Sequence, residues 1–131
     1  VSRSIGESVQ VFSGQAGAVE LISPTSAQPV NAFSAGEPYL RYSDARDIYA
    51  VCTGEVSAIA HDDAGRYIVR ILHDGGQLEG VYYGLTRCDV QEGSEVDAQT
   101  CLGRAAQDFA FQLYRAGKAV NCASQLSPRV Q

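Results

Sequence analysis

Lysine is almost missing from this sequence. Lys118 is the only one, and the nine arginines are scattered along a chain of net charge −5. A nucleic-acid partner would ask for a basic stripe or patch, so nucleic acid is excluded. Long hydrophobic runs are also absent. The apolar stretches fall far short of the roughly 20 residues that cross a bilayer, so no membrane insertion is expected within this fragment. No C-x-x-C pair occurs, which argues against a zinc ribbon or a thioredoxin-type site. There is no G-x-S-x-G elbow and no phosphate loop. Histidine is limited to His61 and His73. The sequence shows no convincing helical periodicity and no internal repeat. The chain opens on an ordinary polar stretch after Val1 rather than on a signal peptide. The expectation is a removed N-terminal signal or membrane anchor.

What is present is enough for one folded domain. Of 131 residues, 45% are hydrophobic and 19% charged, a balance that favours a packed core over disorder. Short β-prone segments alternate with turn signals: Val9 to Phe12, Val19 to Ile22, Ile48 to Val51, Val56 to Ala60, Tyr67 to Leu72, Leu78 to Tyr83 and Phe109 to Tyr114. Residues 23–38 read as loop, broken by Pro24, Pro29, Gly36 and Pro38. Asp62-Asp63-Ala64-Gly65 and Asp74-Gly75-Gly76 read as hairpin turns. The expected fold class is mainly β, an antiparallel sheet domain. It is read as a single domain over 1–131, with N-terminal strands and loops in 1–45, a core in 46–126 and a tail in 127–131 that frays. The cysteines Cys52, Cys88, Cys101 and Cys122 are either two disulfides, with three possible pairings, or four buried thiols.

From Ala50 onward the order of motifs resembles the LytM/lysostaphin family of peptidoglycan endopeptidases. The residues that carry the resemblance are Ala50, Gly54 and Val56; Tyr67 to Gly76; Tyr82-Tyr83-Gly84-Leu85; Val90, Gly93, Val96, Leu102 and Gly103; and Asp108 to Gln112 followed by Gly117. The degeneracy resembles stage IV sporulation protein FA and stage II sporulation protein Q most. The resemblance implies a duplicated-hybrid-motif, barrel-sandwich-like architecture. It also implies a cleft in which active members hold zinc with two histidines and an aspartate, leaving one position for water. The "H-x-H" pair of the last strand is one-sided because residues i and i+2 of a strand share a face. Here those positions hold Asp108 and Ala110, and the histidine of the "Y-x-H-L" strand is Gly84. Asp44 and Asp47 lie near the upstream ligand pair without a histidine partner. The expectation is therefore no catalytic residue, no metal and no cofactor, with a vacated groove of Tyr82, Gly84, Asp108, Ala110 and Gln112. His61 reads as a loop residue and His73 as a packing residue at a strand end.

The implied function is a non-catalytic pseudopeptidase. It would serve as an extracytoplasmic interaction or scaffold module in sporulation or cell-wall remodelling. Its partner would be another extracytoplasmic or membrane-anchored protein, and peptidoglycan is a further candidate. Rival readings are a zinc-dependent peptidoglycan endopeptidase with an atypical site and a peptidoglycan-binding module. Asp89, Glu92, Glu95 and Asp97 could form a glycosidase pair but read better as a solvated hairpin or a negative patch. A lipoyl-type carrier would need Lys118 at a hairpin tip. Tyr39, Tyr42, Tyr49, Tyr82 and Tyr83 could line a groove, since each offers apolar area with a polar tip, but most read as half-buried sheet positions.

Overall fold

Phe109, Phe111 and Leu113 alternate with Asp108, Ala110 and Gln112, the period that sends one set into a core and the other out of it. The stretch belongs to the longest strand, Cys101–Arg115. The computed structural model describes residues 19–129. Their strands are β1 (Leu21–Ile22), β2 (Leu40–Tyr42), β3 (Asp47–Tyr49), β4 (Gly54–His61), β5 (Tyr67–His73), β6 (Leu78–Cys88), β7 (Glu95–Val96), β8 (Cys101–Arg115), β9 (Lys118–Val120) and β10 (Leu126–Ser127). The segment around Ala105 that could pass for helix is strand throughout. The expected strand at Val9 to Phe12 lies outside the described residues.

The main sheet is antiparallel and runs β9-β8-β6-β5-β4-β7, with β2 and β3 also paired to β8. Strand β8 is the spine. Its one edge meets β6 from Leu78↔Arg115 to Cys88↔Gly103. Its other edge is shared by β9, β2 and β3. The hairpin turns fall where Asp and Gly mark them. Gly65 sits at φ 81° after Asp62, and Asp74, Gly75 and Gly76 all have positive φ in the turn between β5 and β6.

The core lies on one face of this sheet. Val69 and Ile71 of β5, Tyr82 and Leu85 of β6, and Phe109, Phe111 and Leu113 of β8 are buried together with Leu40, Tyr42 and Ile48. Tyr82 packs on Phe111 with ring centroids 5.0 Å apart, and Tyr42 on Phe109 at 5.6 Å. Each such side chain contributes about 1.5–3 kcal/mol by leaving water.

The end of the chain departs from expectation. Residues 126 and 127 pair in parallel with Leu21 and Ile22. Arg129 then donates from Nε to the Ser23 carbonyl (2.8 Å) and from Nη2 to the Ala50 carbonyl (3.2 Å). Its guanidinium also lies 4.3 Å from the Tyr49 ring centroid. The reading of 127–131 as a fraying tail fails at Ser127 and Arg129, because backbone carbonyls left free by two short segments find a five-donor partner there.

Candidate functional site

A groove of about 680 Å³ opens on the face of the sheet away from the core. Its floor is where β6, β8 and β2 lie side by side. Tyr83 pairs with Ala110 across β6 and β8, and Arg41 pairs with the same Ala110 across β2 and β8. Tyr39, Arg41, Asp62, Arg66, Tyr83, Gly84, Asp108, Ala110 and Gln112 all line the space. Four of the five expected groove residues are therefore together: Gly84, Asp108, Ala110 and Gln112. Tyr82 is not among them. It is fully buried on the opposite face, against Phe111. Successive strand residues face opposite ways, so the groove tyrosine of this strand is Tyr83.

Gly84 has a backbone that a side chain would not tolerate. Its φ is 95°, and a Cβ built there would lie 2.6 Å from the Asp108 carbonyl oxygen. The cause is a break in the ladder, which passes from Tyr83↔Ala110 to Leu85↔Ala105 and leaves Gly84 facing a longer stretch of β8. Such bulges bend one strand and place a glycine in the left-handed region. An imidazole cannot be grafted onto this position without moving the chain.

The upstream acids go elsewhere. Asp47 pairs with Arg104 at 3.1 Å. Asp44 lies with it, Ser26, Ala27 and Arg46 around a separate, smaller depression. The residue that β2 delivers beside Ala110 is Arg41, whose Nε is 3.1 Å from Glu37 Oε2. Sequence reasoning missed Arg41 and Arg66, whereas Tyr39 and Tyr83 stood among the tyrosines that could line a groove. A signal for Arg41 existed, since Leu40 and Tyr42 alternate with Tyr39 and Arg41 just after Pro38.

One wall of the groove is locked by Gln112. Its Oε1 accepts hydrogen bonds from the hydroxyls of Tyr83 (2.9 Å) and Tyr114 (2.7 Å), and its Nε2 donates to the Pro38 carbonyl (2.9 Å). Burial, reinforced by the neighbouring Tyr114, raises the Tyr83 pKa above its ordinary value, so Tyr83 stays a neutral donor. At the rim, Asp62 Oδ1 accepts the backbone N–H groups of Arg66 and Ala64, each at 2.9 Å. The Arg66 amide first, then that of Ala64 and the Arg66 guanidinium, hold the Asp62 carboxyl below its usual range.

The two histidines do not reach the groove's floor. His61 is exposed, with its ring 4.6 Å from that of Tyr67. His73 is fully buried. Val51 N–H donates to the Tyr82 hydroxyl (3.1 Å), and that hydroxyl lies 3.1 Å from His73 Nε2. His73 Nδ1 lies 3.2 Å from the Thr53 carbonyl. A proton on Nδ1 satisfies every group in the chain. Burial lowers the His73 pKa, opposed by the Thr53 and Cys52 backbone. Room for the ring comes from Gly54, where a Cβ would sit 2.8 Å from Nδ1, and Gly80, where it would sit 3.0 Å from Nε2.

All four cysteines are free thiols in this structure. Cys52 and Cys122 are buried, and burial pushes their pKa up to about 11 and about 12. They behave as small apolar side chains. Cys88 and Cys101 are half-buried, their thiols directed to the Val90 and Gly103 carbonyls. The two-disulfide alternative does not describe this arrangement.

No family model matches the chain, and no curated protein matches it. Solved structures do. A putative M23 peptidase from Pseudomonas aeruginosa superposes with a TM-score of 0.72 at 19% identity, over 88% of this chain and 54% of that one. Lysostaphin does so with 0.64 at 14% identity, over 82% and 60%. The fold is that of the LytM-type peptidases. Helicobacter pylori Csd3 shares it at 21% identity and a TM-score of 0.70, over 85% of this chain and 33% of that one. So does the structure described as the SpoIIQ–SpoIIIAH pore-forming complex, at 15% identity and 0.62, over 85% and 93%. The chain spans about a third of the length of Csd3 and about half that of the Pseudomonas protein.

The zinc that this fold holds in active peptidases does not fit the residues present. Among the described residues no group of three or more His, Cys, Asp and Glu is placed to hold a metal ion. Of the groove positions in question, Gly84 and Ala110 have no donor and Arg41 carries a permanent positive charge that opposes a cation. The groove's anionic donors are Asp108 and Asp62, and Asp62 is paired with Arg66.

Proposed function

We propose that this chain is a non-catalytic member of the LytM type, a pseudopeptidase that works as an extracytoplasmic protein-interaction module. The observation that carries the reading is Gly84. The loss there is built into the backbone, since φ is 95° and the Asp108 carbonyl fills the place of a side chain. Ala110, the neighbouring family position, likewise offers no donor, and β2 places Arg41 beside it. Sporulation and cell-wall remodelling are the settings in which such a module would act. The partner is another extracytoplasmic or membrane-anchored protein. Support comes from the likeness to the SpoIIQ–SpoIIIAH structure, whose description is of a complex. No described helix is long and apolar enough to cross a membrane.

The sheet edges bear on how a partner is reached. The outer edge of β4 is covered by β7, by Ser94 and Gly93 bonding to Val56, and by Glu92, whose carboxylate accepts the Ile59 N–H at 3.0 Å. The outer edge of β2 is covered by Val30 and Asn31. Covered edges resist strand addition, so on the β4 and β2 sides the groove is the more open surface. A peptidoglycan-binding role rests on that same groove, and sedimentation with purified peptidoglycan separates it from the protein-partner reading.

The experiment is metal analysis of the purified protein after zinc loading, together with a peptidoglycan-cleavage assay. The expected result is no stoichiometric zinc and no cleavage. One zinc per chain with release of peptide fragments overturns the reading.

A further inference from the structure

Two guanidinium groups, Arg41 and Arg66, face the groove, and each is already paired, with Glu37 and Asp62 respectively. Asp108 is different. It is exposed on the groove face of β8 and has no ion-pair partner among the described residues. Of the four charged side chains that line the groove, Arg41, Arg66, Asp62 and Asp108, Asp108 is therefore the one whose charge no ion pair offsets. Tyr39 and Tyr83, both half-buried, line the same space, and aromatic faces attract cations. Both ends of the Gln112 amide are committed within the wall, so they do not compete for a ligand's polar groups. The volume of about 680 Å³ falls among ordinary ligand clefts.

We propose that this groove docks an extended peptide segment of a partner protein, placing a lysine or arginine side chain of that segment against Asp108. Charge complementarity selects a basic segment over an acidic one. The inference rests on the non-catalytic reading and deepens it by naming the chemistry of the occupant. An organic cation then takes the carboxylate that has no metal to hold.

The test uses the isotope-labelled protein and a blocked pentapeptide, acetyl-Ala-Ala-Lys-Ala-Ala-amide, with a glutamine version as control. The lysine peptide should shift the amide resonances of Gly84, Ala110 and Gln112 saturably, and the glutamine peptide should bind about fivefold more weakly. Asp108→Asn should bring the lysine peptide down to the glutamine level, with the rest of the spectrum unchanged as proof of folding. Equal affinity for both peptides, shifts away from the groove, or no saturable shift overturns the proposal. Mass spectrometry of the peptide after incubation with zinc keeps the two claims apart. Cleavage overturns the non-catalytic reading, whereas an intact peptide without shifts overturns the docking proposal alone.

Discussion

His73 and Gly84 make an instructive pair. Both fall on positions where the LytM-like pattern carries a histidine, on neighbouring strands of one sheet. At His73 the imidazole remains, fully buried, with both nitrogens partnered and two glycines making room for it. At Gly84 there is no side chain, and the bulged backbone fills the space that one would need. The first position ties two strands to the 51–53 segment through its polar groups, so removing it would orphan buried donors and acceptors at about 1–3 kcal/mol each. At the second position the bulged backbone leaves no room for a side chain of any kind.

The largest effect is expected from forcing the second position to resemble the first. Gly84→His places a Cβ at φ 95° against the Asp108 carbonyl. The variant should lose about 3 kcal/mol of stability, from left-handed strain and displacement of β8. Urea denaturation reads this directly. The variant should not gain zinc, because Ala110 and Arg41 still flank it. A variant as stable as the parent would mean that the bulge is soft, and the contrast with His73 would lose its physical basis.

A smaller effect comes from titrating His73. The unfolded chain takes up a proton as pH falls through the ordinary histidine value of 6.5, whereas the native chain, with its His73 pKa lowered, does not until lower pH. Stability therefore falls with pH just below 6.5, and levels off once the native form is protonated too. The slope is at most about 1.4 kcal/mol per pH unit from this one group. Denaturation midpoints on either side of that pH, in the parent and in His73→Gln, measure it. The contribution should vanish in the variant. An unchanged slope would assign the pH dependence to other groups.

The smallest stability effect is expected at Glu92. Its carboxylate caps the Ile59 N–H on an exposed edge, so Glu92→Ala should cost no more than about 0.5 kcal/mol. Its signature is instead association. With the cap gone, the β4 edge offers a free donor, and light scattering should detect self-association that the parent lacks. A strictly monomeric variant would show that β7 and the 93–94 segment suffice to protect that edge.

Much of this was legible in the sequence, and the exceptions have physical reasons. The alternation in Tyr67 to Leu72 and in Phe109 to Leu113 gave β5 and the end of β8, because a half-buried strand writes its period into the text. The turns were legible from Asp and Gly. The pairing of β1 with β10 was not, because two-residue strands have no period and the partners are more than a hundred residues apart. The Arg129 anchor is invisible for the same reason. In the groove, Gly84, Asp108, Ala110 and Gln112 were found through motif order. Tyr82 was misplaced by one residue, and that slip reverses the face. Arg41 was overlooked because an acid was sought upstream, while Asp44 and Asp47 turn away to a different surface.

The junction of Leu21–Ile22 with Leu126–Ser127 has a mechanical corollary. The two segments run in the same direction, side by side, and Arg129 spans from one to the other by way of the Ser23 carbonyl. Tension applied through the flanking chain on both sides would slide them lengthwise past each other. Their cross-links would then be loaded together instead of opening one after another, so a tether attached at both ends would pull this small seam in shear.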